Sequence, residues 1–148
     1  MNDEYGTLLT PLVEQEKEKV EESPMTSFIN YLNTLEGYKT KIKNLHWAAP
    51  AMNIHEKLDD FLDILSEYQD AVAEESMGIY GQIAPNVISG EPCECVDALA
   101  MLESLKTKTN AFYLGLGDKL EHAGLRSETE TFIHQINKHL YLFRLCKG

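Results

Sequence analysis

The chain has 148 residues, a hydrophobic fraction of 43% and a formal net charge of −11 at pH 7. This length and apolar content fit one domain that buries its own core, and they exclude a chain too small to fold without disulfides or metals. The negative charge disfavours DNA and anionic membrane surfaces as partners, and no apolar run approaches the roughly 20 residues that a membrane-spanning helix needs.

Residues 1–22 differ in character from the rest of the chain. They are rich in acidic residues and contain only Lys17 and Lys19 as basic ones. They lack the positively charged start of a secretory signal peptide. We therefore expect an acidic N-terminal extension over 1–22, a helical domain over 23–148, and a cytoplasmic location.

The first two predicted helices flank a proline. The first begins at Ser23-Pro24, because proline is favoured at the first helical position, and continues to about Trp47. Pro50 interrupts the helical pattern, since a proline disfavours the helical conformation at the residue before it. The second helix then runs from about Met52 to Met77, and Gly78 and Gly81 end it. The predicted core positions are Phe28, Leu32, Leu35, Ile42 and Leu45 in the first helix, and Leu58, Phe61, Leu62, Leu65, Tyr68 and Val72 in the second.

A segment rich in glycine and proline, 78–92, separates these helices from two more. It is longer than an antiparallel turn requires, and it reaches roughly 45–50 Å when extended. It therefore predicts a crossover that makes the third helix parallel to the second. The third helix is expected from about Cys95 to His122, and the fourth from Ser127, whose hydroxyl would form a capping box with Glu130. Their predicted core positions are Leu99, Leu102, Leu105, Phe112, Leu116 and Leu120, then Phe132, Ile133, Ile136, Leu140 and Phe143.

No strand pattern is found, so the predicted fold class is all-α: a four-helix bundle with one long crossover. On the second helix, with His55 at 0°, Asp59 falls at about 40°, Asp70 at about 60° and Glu74 at about 100°. Each pair spaced four apart is close enough to hold one ion, but residues 55 and 70 are roughly 22 Å apart along the axis. A second, antiparallel copy of this helix would bring the pairs together at two equivalent sites.

His46 ends the first helix nine residues before His55, so it can fold back across Pro50 towards the same place. Imidazole and carboxylate together suit Fe(II), and also Zn or Mn. For any single carboxylate on this helix, a solvated polar face is the simpler interpretation. The five residues taken as a set favour a metal site formed between chains.

The chain resembles the Dps family, the miniferritins, in the order and spacing of one set of residues. These are His46-Trp47, His55, Asp59, Asp70 and Glu74, the last two within "DAVAE". The likeness covers roughly residues 25–148 and includes "KHLYLFRL" near the C-terminus. The resemblance implies a ferritin-like subunit of a hollow homododecamer. It also implies that Fe(II) binds at the two-fold interface, is oxidised preferably by hydrogen peroxide, and is stored as ferric mineral, which protects against oxidative stress.

Carried over by residue, the resemblance assigns His46, His55 and Asp59 to one subunit as iron ligands, and Asp70 and Glu74 to its partner. Trp47 would be a redox-active ring beside the iron, with an ordinary core tryptophan as the alternative. The chain lacks the Lys/Arg-rich tail of DNA-binding members, so we expect little or no DNA binding. The alternative function is a structural or interaction protein with a Dps-like cage and little ferroxidase activity.

Two glutamates and the three cysteines are further candidate functional residues. Glu128 and Glu130 are candidates for the acidic lining of an iron-entry pore, with helix N-terminal charge as the alternative. The three cysteines, Cys93, Cys95 and Cys146, make an odd number with no disulfide framework. Two thiolates at 93 and 95 could hold a soft metal, but without a second pair they are a weak zinc signal. Buried or partly exposed free thiols are the favoured interpretation.

Overall fold

The structure is a computed structural model that describes residues 23–146. Within this range it contains four α-helices and no strand, so the prediction of an all-α chain with four helices is confirmed. The acidic extension over 1–22 lies outside the described residues, as do residues 147–148. The helices are α1 (Pro24–Trp47), α2 (Met52–Tyr80), α3 (Ala98–Leu116) and α4 (Ala123–Leu145), with a short 3₁₀ helix (Leu120–His122) before α4.

The third predicted helix is too long at both ends. α3 begins after Asp97, whose side chain accepts a hydrogen bond from the Ala100 amide at 2.8 Å, as an N-cap does. It ends before Gly117, which adopts a φ of 64°, a left-handed conformation that glycine tolerates best. Leu99 and Leu120 were expected in the core, but they are 37% and 87% exposed. Leu120 is exposed because it lies beyond the end of α3.

Two other helix ends also differ from the prediction. α2 continues through Gly78 to Tyr80, and the chain turns at Gly81, where φ is 101°. α4 begins at Ala123, four residues before the predicted start. Ser127 and Glu130 therefore lie inside the helix, where the backbone amides already have partners, and the capping-box prediction is wrong.

A chain of hydroxyl groups crosses the middle of the core, with one residue from each helix. The Tyr31 and Tyr68 hydroxyls lie 2.9 Å apart; Tyr31 donates to Thr109 at 3.2 Å, and Tyr68 lies 2.9 Å from Thr129. All four residues are buried. Because buried hydroxyls need partners, this network pairs the four helices in one register.

Side-chain contacts give the direction of each helix. α1 and α2 meet near Tyr31 and Tyr68 and again at His46 and His55, so they run antiparallel. α1 and α3 also run antiparallel, since Tyr38 contacts Ser104 and Tyr31 contacts Thr109. α3 and α4 are antiparallel as well, as the contacts Tyr113–Glu130 and Glu103–Arg144 show.

The segment 81–97 lies along α1 and contains no helix. The Asn33 side chain donates to the Val87 carbonyl at 3.1 Å and accepts from the amides of Ser89 and Gly90. One turn further on, Gly37 lets the Glu91 carbonyl touch the helix backbone, since a Cβ at this position would lie 1.6 Å from that oxygen. The segment is therefore fastened to α1 at several points.

The lengths and hydropathies of the described helices bear on membrane insertion. None of those within 23–146 combines the length and apolarity needed to cross a bilayer.

Candidate metal centre

His46 and His55 face each other across the turn that joins α1 to α2. The His46 Nδ1 atom lies 2.8 Å from the His55 carbonyl oxygen, and the His55 Nδ1 atom lies 2.8 Å from the His46 carbonyl oxygen. The two rings stack with their centroids 3.6 Å apart and an interplanar angle of 22°. Both side chains are half-buried. The predicted approach of His46 to His55 is therefore observed, despite the short connection through Pro50.

This reciprocal pairing determines which ring nitrogen carries the proton. A carbonyl oxygen only accepts, so each Nδ1 must donate, and in a neutral ring the lone pair then lies on Nε2. Neither Nε2 has a hydrogen-bond partner among residues 23–146. Metal-binding histidines commonly donate their second N–H to a carbonyl in this way, which orients the ring. Both imidazoles are thus held in the tautomer that binds a metal through Nε2.

The carboxylates lie on α2, on the same side of the helix as His55. Asp59, Asp70 and Glu74 are all exposed. Asp59 is one helical turn from His55, whereas Asp70 and Glu74 lie four to five turns away. Within residues 23–146, no group of three or more His, Cys, Asp or Glu side chains comes together in a way that could hold a metal ion. One chain therefore brings together the two histidines but not the five predicted ligands.

Trp47 lies on the surface next to this histidine pair. Its side chain is 73% exposed, and Met52 across the turn is 67% exposed. The alternative of an ordinary core tryptophan is therefore wrong.

The face of α2 that carries these candidate ligands also carries small side chains. Ser66 and Ala73 are both half-buried. The Ser66 hydroxyl donates to the Leu62 carbonyl at 2.8 Å, so it is satisfied by its own helix. A second helix could approach this face closely without leaving the hydroxyl unpaired.

Glu128 and Glu130, the predicted pore residues, are exposed on α4. Glu130 accepts a hydrogen bond from the Tyr113 hydroxyl, and this contact raises the pKa of Tyr113. Because α4 begins at Ala123, neither glutamate is in its first turn. The alternative role in helix N-terminal charge is therefore wrong, whereas the pore role stays a prediction about an assembly.

A polar cluster that the sequence did not indicate lies at the opposite end of α1. The Tyr80 hydroxyl lies 2.7 Å from His122 Nε2 and 3.1 Å from Glu121 Oε1. His122 is buried, and its Nδ1 donates to the Leu116 carbonyl at 2.8 Å. These contacts tie the end of α2 to the turn between α3 and α4. No signal could have found them, because Tyr80 is more than forty residues from its partners.

Comparisons with protein-family models, with curated proteins and with solved structures find no match for this chain.

Proposed function

We propose that this chain is a miniferritin-like ferroxidase. Ferrous iron, its substrate, would bind at sites formed between two chains, and hydrogen peroxide would oxidise it. The single observation that carries the proposal is the reciprocal pairing of His46 and His55, which directs two Nε2 lone pairs away from their own backbone contacts. Imidazole with carboxylate is a ligand set that suits Fe(II).

The second half of each site would come from a partner chain. α2 is one uninterrupted helix over 52–80, so residues 55 and 70 stay roughly 22 Å apart along its axis. A two-fold axis through the middle of α2 would place Asp70 and Glu74 of each chain opposite His55 and Asp59 of the other. The exposure of the three carboxylates and the small side chains at 66 and 73 support such a contact.

The proposed reaction balances with peroxide as the oxidant. Two ferrous ions each lose one electron, and hydrogen peroxide takes both electrons and two protons to give two molecules of water. Carboxylates favour the ferric product, since hard oxygen ligands stabilise the higher charge. The exposed Trp47 ring, next to His46 in the chain, would be close enough to take part in electron transfer.

The assembly is part of the same proposal. A segment fastened along α1, as 81–97 is, supports a ferritin-like crossover. The resemblance implies that such subunits would close into a hollow dodecamer that stores ferric mineral. The net charge of −11 per chain would attract cations and oppose binding to DNA. Detoxification of iron and peroxide is therefore the proposed role, without DNA binding.

An anaerobic Fe(II) titration followed by addition of peroxide tests the proposal. We expect the double variant His55→Ala/Asp59→Ala to lower the initial oxidation rate by more than about 10-fold, because two ligands are removed from each site. A double variant of an exposed histidine and an exposed acid outside α2, His134→Ala/Asp118→Ala, is the matched control and should keep the wild-type rate.

Three results would contradict the proposal or one of its parts. An unchanged rate in His55→Ala/Asp59→Ala would show that these residues do not bind the reacting iron. A stable monomer in size-exclusion chromatography with light scattering would rule out a site between chains. A wild-type assembly that oxidises iron no faster than buffer would support the alternative, a cage-like structural or interaction protein.

A further inference from the structure

The segment between α2 and α3 carries two cysteines that the proposed iron site does not use. Cys93 and Cys95 are free thiols, and both side chains are half-buried. Both line one cavity of about 360 Å³ that α1 and α3 also border. The residue between them, Glu94, is exposed. Two half-buried thiols, separated by one residue that also borders the cavity, are thus next to the same space.

The two thiols also influence each other. Burial is the largest cause of a raised pKa of the Cys93 thiol, and the Cys95 side chain raises this pKa further, while the backbone of Cys95 acts in the opposite direction. The ammonium group of Lys41 lowers the pKa of Cys93. The pKa of Cys93 therefore depends both on the second thiol and on a nearby positive charge.

The backbone on both sides of the pair is held in place. Before it, the Glu91 amide donates to the Asn33 carbonyl at 2.9 Å, and the Thr34 hydroxyl donates to Glu91 Oε2 at 3.1 Å. After it, Asp97 caps α3. On the helix side of the cavity, the Tyr38 and Ser104 hydroxyls bond to each other. Because the backbone on both sides of the thiols is already held, the chain would lose little conformational entropy when an ion bridges them.

We propose that Cys93 and Cys95 form a two-thiolate site for a soft cation, and that Cu(I) is the ion of this kind that it binds. Thiolate sulfur selects Cu(I) over harder ions. With metal–sulfur bonds close to the ~2.3 Å of zinc thiolates, one ion between two sulfurs spans up to about 4.6 Å, so both thiols must border one space, as Cys93 and Cys95 do.

The binding step is a cation exchange without oxidation. Cu(I) forms one bond to each sulfur, and two protons leave, so the filled site carries one net negative charge. Lys41 lies near Cys93, and Lys108 borders the cavity together with Glu91 and Glu94, so the two lysines balance the two carboxylates around the site. A structural zinc ion, in contrast, takes four protein ligands, and this pair supplies two.

Competition for Cu(I) tests the site in the full-length, reduced protein. Cu(I) is added without oxygen in the presence of a chromophoric Cu(I) chelator, and the copper withdrawn from the chelator is measured. We expect wild type to bind one Cu(I) per chain at this site, and Cys93→Ser or Cys95→Ser to weaken its affinity by more than about 100-fold, beyond the effect of losing an outer-shell contact. Cys146→Ser, the third cysteine and also half-buried, is the matched control and should bind like wild type.

A second measurement on wild type does not depend on the variants folding. The reduced protein is alkylated with and without Cu(I), and the modified cysteines are identified by mass spectrometry. Cu(I) should protect Cys93 and Cys95 together and leave Cys146 as reactive as before. Failure of wild type to compete for Cu(I), binding that survives Cys93→Ser/Cys95→Ser, or equal protection of all three cysteines would overturn the proposal. None of these results depends on iron oxidation, so the copper site can fail while the ferroxidase stands, and the reverse.

Discussion

At the scale of single residues, the buried tyrosines combine packing with polar satisfaction. Tyr31 stacks on Phe112 with ring centroids 3.8 Å apart, and Tyr68 stacks on Phe132 at 4.0 Å. Each hydroxyl then reaches across the core to a threonine of another helix. Aromatic area stabilises the core, and the hydroxyl network adds a requirement for one particular alignment.

Tyr68→Phe should destabilise the fold by about 1–3 kcal/mol, since it leaves the buried Thr129 hydroxyl without its tyrosine partner. Urea denaturation followed by circular dichroism measures the change. Tyr141→Phe is the matched control: Tyr141 is 59% exposed, so its free energy of unfolding should stay within roughly 0.5 kcal/mol of wild type. Equal effects of the two substitutions would contradict a role for the network.

The same network predicts sensitivity to alkali. Burial raises the pKa of Tyr68 to about 12, above the value of about 10 expected in the unfolded chain. Its contribution to stability is therefore fully present below pH ~10 and is lost as the pH rises towards 12, because the unfolded state releases the proton first. In urea midpoints measured across this window, Tyr68→Phe should lose less stability than wild type. A steeper loss in the variant would show that another group dominates.

His139 predicts the opposite dependence on pH. It packs against Phe61, and burial lowers its pKa, helped by Lys138 and Lys57, although the Gln135 carbonyl and Asp60 act in the other direction. A depressed pKa means that stability is present above the unfolded value near 6.5 and is lost as the pH falls through the folded value.

The test compares two histidines of α4. Between neutral pH and pH ~5, the free energy of unfolding should fall less in His139→Leu than in wild type, because the group that is costly to protonate is gone. His134→Leu, at an exposed position, should keep the wild-type dependence. Thermal or urea unfolding at several pH values measures it, and parallel curves for wild type and His139→Leu would refute the role of His139.

At the scale of secondary structure, the contact between α1 and the segment 81–97 depends on particular side chains of α1. The Asn33 side chain bonds to backbone groups of Val87, Ser89 and Gly90, and the absence of a side chain at Gly37 leaves room for the Glu91 carbonyl. A loop that would otherwise expose its polar backbone is thereby made part of the bundle surface. The same contact positions the two cysteines and the start of α3.

Gly37→Ala and Gly78→Ala should change stability in opposite directions. At Gly37 a methyl group would overlap the Glu91 carbonyl, so the segment must move, and we expect a loss of roughly 1–3 kcal/mol. At Gly78, inside α2, a Cβ meets no atom within 4 Å, so alanine should stabilise the helix by about 0.5–1 kcal/mol. Urea denaturation measures both. A stabilised Gly37→Ala would show that the segment is not held against α1.

At the scale of the whole molecule, the two ends of α2 carry complementary parts of one proposed site. A single chain holds the imidazoles at one end and a carboxylate pair at the other, and its described residues form no complete metal-binding group. The exposed Trp47 and Met52 add an apolar surface beside the imidazoles. An antiparallel partner would complete both sites by symmetry.

Mixing two inactive variants should restore activity if the site is shared. One lacks the first half-site (His55→Ala/Asp59→Ala) and the other lacks the second (Asp70→Ala/Glu74→Ala). After unfolding and refolding together in equal amounts, random pairing gives about half mixed dimers, each with one intact site, so about a quarter of wild-type sites return. The Fe(II) oxidation rate measures this. Each variant refolded alone is the control, and no recovery in the mixture would place the site within one chain or elsewhere.

Part of this structure could be predicted because it depends on local patterns. Helical periodicity and the proline at position 24 predicted α1 to its last residue, and the buried stripes of α1 and α2 were largely predicted in the same way. The spacing of His55, Asp59, Asp70 and Glu74 follows directly from helix geometry. The ends of α3, at Asp97 and Gly117, were not predicted. The start of α4 was not predicted either, because an N-terminal capping pattern at Ser127 is indistinguishable in sequence from the same residues inside a helix.

The sequence alone therefore determined the number of helices, the core faces of α1 and α2, and the one-sided placement of the candidate ligands, since each of these depends on residues within a few turns of each other. Only the tertiary structure decided which distant residues meet. It turned Trp47 outward, joined Tyr31 to Tyr68 and Tyr80 to His122, and placed Cys93 and Cys95 at a cavity that α1 and α3 border. The physical reason is that such contacts depend on the packing of all four helices, which no local pattern records.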